Sequence, residues 1–129
     1  MNLNRKQFEQ LVADGVAAIP AKFRARLKNV AIVVEGEPTA DQRQQMAMRD
    51  DEDLYGLYEG VPLTERGEHY SLVLPDKITI FMKAALEDSA TEAEVRQIVR
   101  DTVWHEIAHH FGYSETEVEK REAERENEN

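Results

Sequence analysis

Residues 105–115 read H-E-I-A-H-H-F-G-Y-S-E, and His105, Glu106 and His109 within that run have the types and spacing needed for hydrolytic chemistry on a metal ion. Residues four apart on a helix stand one above the other, with about 5–6 Å between Cβ atoms, so two imidazoles so placed can meet on one divalent cation. Glu106 points about 100° away around the helix, which leaves the ion to the histidines. It is expected to take a proton from a water held at the ion and later to hand that proton to a leaving amine. The chain has no cysteine, so imidazoles and carboxylates are the donors expected, and one Zn2+ is the ion expected. A catalytic zinc takes three protein ligands. The third is expected at Glu115, because Gly112 can turn the chain back on itself and Ser114 would cap a new helix with Glu115 as its first residue, where a carboxylate is favoured.

Other residues of suitable type have bland readings. His110 lies about 100° around the helix from His109 and is expected to pack behind the ligands or bond to one of them. Tyr113 is expected in the same supporting layer. Tyr58 and Tyr113 carry phenols of the kind that can bond an oxyanion, but packing accounts for both. His69 stands alone in a turn-like stretch. Glu128 has the spacing to His109 of the thermolysin-like class but falls in a polar tail.

The element that must position the site begins at Thr91, which forms a T-x-x-E capping box with Glu94. Val95, Val99, Val103, Ile107 and Phe111 follow at four-residue steps, with Ile98 beside them, so this helix should pack on the core along its length and stop at Gly112. Ser114 and Glu117 make a second capping box, and a C-terminal helix should follow, fraying into an acidic tail over 120–129. Upstream, Phe8, Leu11, Val12, Val16 and Ile19 predict a helix over 5–18 with Asn4 and Gln7 at its cap, and Pro20 opens a shorter one through Leu27. VAIVVE, residues 30–35, reads as a buried strand. Residues 36–53 read as a loop or a solvated helix. Strands are expected at Leu54–Val61, Tyr70–Leu74 and Ile78–Met82, separated by glycine and proline turn signals. If the Leu54–Val61 strand borders the cleft, an extended peptide can pair with its edge. Strands in succession before the long helix point to an α+β domain spanning 1–129.

Composition narrows the function. The chain has 129 residues and a formal net charge of −10, from 16 basic and 26 acidic residues, which disfavours nucleic acid and anionic membrane as partners. The basic run at Lys22, Arg24, Arg26 and Lys28 reads as the wet face of a short helix. No apolar run approaches the roughly 18 residues of a membrane span and no secretion signal is legible, so cytoplasmic residence is expected.

HEIAHHFGYSE also resembles the H-E-x-x-H-x-x-G-x-x-D motif of the minimal bacterial zincins related to matrix metalloproteases, and GLYEGVPLTER (56–66) and LPDKITIFM look like the same family. The resemblance implies a small zincin-like fold, a short mixed sheet packed on an active-site helix, with His105 and His109 as metal ligands and Glu106 as the catalytic glutamate. Glu115 stands where that family usually has Asp. The activity it implies is a zinc-dependent metallopeptidase acting on a peptide or protein. The alternative is a non-catalytic zinc-binding domain that binds a protein partner, and a third reading is a regulatory module that works through its acidic tail without metal.

Overall fold

In the computed structural model, which describes residues 1–27, 29–60 and 75–112, helix α1 (Arg5–Ala17) starts at the Asn4 cap. Asn4 Oδ1 accepts from the Gln7 amide at 2.8 Å, and the Asn4 amide donates to the Gln7 side chain at 2.9 Å. Two of the otherwise unpaired donors around a helix start are thereby satisfied. Helix α2 (Ala21–Arg24) follows Pro20 and is shorter than the sequence suggests. The chain leaves it through tighter bonds, from Arg26 N–H to the Phe23 carbonyl and from Leu27 N–H to the Arg24 carbonyl.

VAIVVE forms β1 (Val30–Glu35). The polar stretch after it holds helix α3 (Ala40–Gln45), set by a Thr39–Gln42 capping box. The Gln42 side-chain Nε2 also donates to Glu59 at 2.9 Å. Strand β2 (Gly56–Glu59) is shorter than expected, and β3 (Asp76–Phe81) gives way at Met82 to helix α4 (Met82–Glu87). The sequence reading ends a strand at Met82, but Met-Lys-Ala-Ala-Leu-Glu consists of strong helix formers, and Ala84 and Ala85 are buried. Helix α5 (Glu92–His110) completes the described chain. The expected Tyr70–Leu74 strand, the C-terminal helix and the 120–129 tail lie outside the described residues.

The sheet order is β1-β3-β2, with β1 parallel and β2 antiparallel to the central β3, so the domain is α+β with a small mixed sheet. Its register aligns Val30, Ile32 and Val34 with Asp76, Ile78 and Ile80, and aligns Gly56 and Tyr58 with Ile80 and Ile78. Alternate residues share a face. The face so defined meets α1 and α5, and its isoleucines pack with Phe8, Leu11, Val95, Val99, Val103 and Ile107. Valine is a mediocre helix former, at a cost of up to about 0.7 kcal/mol per residue. Burying each such side chain contributes about 1.5–3 kcal/mol, so packing decides the matter in favour of helix. Among the described residues no helix is long and apolar enough to cross a membrane.

Candidate active site

Helix α5 carries the site, and its ends are well determined. Thr91 Oγ1 accepts from the Glu94 amide at 3.2 Å. The Glu94 carboxylate accepts from the Ala90 amide at 2.6 Å instead of closing on Thr91, so the expected capping box is only half formed. Glu92 and Glu94 place negative charge at the positive end of the helix dipole. At the other end Gly112 adopts φ +91°, and its N–H donates to the His109 carbonyl at 2.9 Å. A glycine is needed there, because L side chains resist positive φ.

Strand β2 runs beside α5 and in the same direction. Gly56 meets Thr102 and Glu106, while Tyr58 meets His110 with ring centres 6.0 Å apart. The four residues from Glu106 to His110 rise about 6 Å, close to the ~7 Å that two residues of strand cover from Gly56 to Tyr58. The approach is close because Gly56 has no side chain. A Cβ there would lie 2.5 Å from the Thr102 methyl, 3.2 Å from the Thr79 carbonyl oxygen and 3.3 Å from Glu106 Cγ. On another side Phe23 braces the helix, with its ring 5.5 Å from Trp104 and 6.1 Å from Phe111.

Between them these elements leave a cleft of about 280 Å³ lined by Tyr55, Gly56, Asp101, Thr102, His105 and Glu106. Glu106 is 8% exposed and forms part of its wall. The His105 and His109 rings stand 5.1 Å apart between centres, inclined at 65°. Nitrogen ligands about 2.0–2.1 Å from one tetrahedral ion would hold their ring centres roughly 5 Å apart, so this pair fits a shared zinc. Among the described residues no three of His, Cys, Asp and Glu form a metal-holding group. Glu115, expected as the third ligand, and Tyr113 lie outside the described residues.

The family model described as zincin-like metallopeptidase matches residues 27–125. The chain belongs to that family. The match runs from before β1 past the end of α5, and it agrees with the resemblance carried by HEIAHHFGYSE and GLYEGVPLTER. No curated protein matches the chain. A solved structure of a conserved hypothetical protein from Thermus thermophilus is similar to this zincin-like chain, with a TM-score of 0.54 and 22% identity over 83% of this chain and 92% of that one. At that identity the likeness concerns the fold.

Several residues around this zincin-like site were not legible as neighbours from the sequence. Asp101 lies one helical turn before His105 and accepts from the Gln97 side-chain Nε2 at 2.9 Å. Four-residue spacing was the available signal for it. Tyr55 donates its hydroxyl to Asp88 at 2.5 Å, and no local pattern announces that bond. The phenol pKa is raised, first by the hydrogen bond to Asp88, then by burial and by the Asp88 charge. His110 is fully buried, and Asp76 is 1% exposed. The two meet at 2.8 Å between His110 Nδ1 and Asp76 Oδ2, and with an ionised carboxylate as partner Nδ1 is the donor. Tyr58 donates its hydroxyl to the same oxygen at 2.6 Å. The phenol whose chemistry suits an oxyanion is thus directed at Asp76.

Proposed function

We propose that this chain is a zinc-dependent peptidase or amide hydrolase in which His105 and His109 hold the metal, Glu115 completes the ligand set and Glu106 is the general base. The observation that carries this reading is the His105–His109 pair at 5.1 Å, with Glu106 one residue along the same helix at the wall of an open cleft. Family membership supports it at the level of reaction class.

A zinc ion bound there supplies two effects: it lowers the pKa of a water in its shell and polarises a substrate carbonyl. Glu106 accepts the proton of the attacking water as the water oxygen bonds to the carbonyl carbon. It then gives that proton to the amide nitrogen as the C–N bond breaks, so the carboxylate is regenerated. Glu106 is buried and lines the cleft, so few solvent molecules compete for its proton. Strand β2 is at the sheet edge among the described residues, and Gly56 lines the cleft. An extended peptide pairing with that edge passes in front of the histidines, which makes a peptide or protein the substrate class. With a net charge of −10, neither nucleic acid nor anionic membrane is part of the proposal, and the cytoplasm is the proposed location.

The test separates binding from turnover. Glu106→Gln should keep the zinc content of the native protein and lower cleavage of a peptide library by about 10²–10⁴-fold. A Gln variant that cleaves as fast as the native protein removes the catalytic role. A native protein that binds zinc and cleaves no peptide supports the non-catalytic zinc-binding reading.

A further inference from the structure

Asp76 is the first residue of β3, and its amide donates to the Asn29 carbonyl at 2.8 Å, so its backbone is fixed by the neighbouring chain. Its side chain faces α5 and is almost wholly removed from water. A buried carboxylate is costly unless donors surround it. Here two donors from two other elements converge on one oxygen, the Tyr58 hydroxyl of β2 at 2.6 Å and His110 Nδ1 of α5 at 2.8 Å. Gly60 packs directly against this carboxylate, since a Cβ there would come within 2.4 Å of Asp76 Oδ1. The carboxylate therefore has little room to turn, and the three elements are locked together at one point.

We propose that Asp76 is a positioning residue for the metal end of α5, acting through His110 and Tyr58; this rests on the zinc reading above. His110 directly follows His109, so the bond that fixes His110 also fixes the rotation of the last helical turn. An imidazole nitrogen lies roughly 6–7 Å from the helix axis, and a rotation of ~10° would carry it about 1 Å. Ligand constellations tolerate about 0.5 Å. Without the tie to Asp76 the His109 ring loses its set relation to His105. Tyr58 does the same for the strand that borders the cleft, with its ring edge-on to His110 at 78°. An apolar trio of similar volume would hold the elements together as well, but it would not fix one rotation of the helix end. Directional bonds to a single oxygen do.

The experiment measures zinc affinity by competition with a chromogenic chelator, the visible spectrum of the cobalt(II)-loaded protein, and the melting temperature of the metal-free protein. It compares native protein, Asp76→Asn and Tyr58→Phe. Asp76→Asn is expected to remain folded without metal, to bind zinc about 10–100-fold more weakly and to show an altered cobalt spectrum, as loss of an outer support of a ligand does. Tyr58→Phe, which removes one hydroxyl, is expected to shift both readouts in the same direction by a smaller factor, and it carries the test if Asp76→Asn does not fold. Variants that melt earlier yet keep native zinc affinity and the native cobalt spectrum overturn the inference, because Asp76 would then support only the fold. A native protein that takes up neither metal overturns the zinc reading, and this inference falls with it.

Discussion

Gly56 matters because of what would meet its missing side chain. An alanine methyl would sit 2.5 Å from the Thr102 methyl, and Thr102 cannot easily yield: it is β-branched within a helix and its hydroxyl donates to the Ile98 carbonyl at 2.7 Å. Gly56→Ala is expected to cost about 1–3 kcal/mol. It should also displace Glu106, whose Cγ lies 3.3 Å away, so turnover should fall while zinc content holds. Chemical unfolding and steady-state kinetics check the two parts separately. Tyr55 yields a pH prediction. Its pKa is raised in the fold chiefly by donation to Asp88, so the neutral phenol is the form the fold favours. The resulting stability is fully present below about pH 10, the unfolded reference, and is lost as pH climbs through the raised value. Tyr55 is 38% exposed, so Tyr55→Phe should lower stability at neutral pH by under about 1 kcal/mol. The variant should also lack this alkaline loss, as unfolding curves at neutral pH and about pH 11 will report. Residue types and spacing marked His105, Glu106 and His109 because one helical turn is a local geometry. Asp76, Tyr55 and Gly56 matter through contacts made across the chain, and nothing within a few residues of them encodes those contacts.

Elements were legible wherever local chemistry set their ends. Asn4 with Gln7 and the VAIVVE run give α1 and β1 with hardly a residue of error, since a cap and a β-branched run act within a few positions. Thr91 starts α5 as expected, but Glu94 bonds to Ala90 instead of Thr91, a choice between adjacent amides that spacing does not make. Two other stretches were less sharply marked: residues 36–53, read as a loop or a solvated helix and holding α3, and the end of β3. Helix α3 is held by Thr39–Gln42 capping and by the Gln42–Glu59 bond across the fold, and α4 takes over a position that β-propensity assigned to a strand. Thr91→Ala tests how much the cap alone contributes to the active-site helix. With Glu94 still holding Ala90, the loss should be about 1 kcal/mol in denaturant unfolding. Zinc affinity should not change, because the capped end is more than three helical turns from His105.

At the scale of the molecule, one side of the sheet that β1, β3 and β2 form and the α1 helix hold α5 by its apolar stripe, and the opposite margin of that helix is left facing a cleft. The α+β class followed from the order of strand and helix signals and the mixed sheet was implied by the family resemblance, whereas the close run of β2 beside α5 is a tertiary outcome. The proposed function requires that His105 and His109 share one metal ion. Imidazole binds metal in its neutral form, so acidification towards pH 4.5 should release the ion. Elemental analysis of protein purified without chelator, beside His105→Ala and His109→Ala, tests the claim most directly. About one zinc per native chain is expected at pH 8 and near none in either variant. Native protein without zinc when zinc is supplied in excess, or variants that keep a full equivalent, would contradict it.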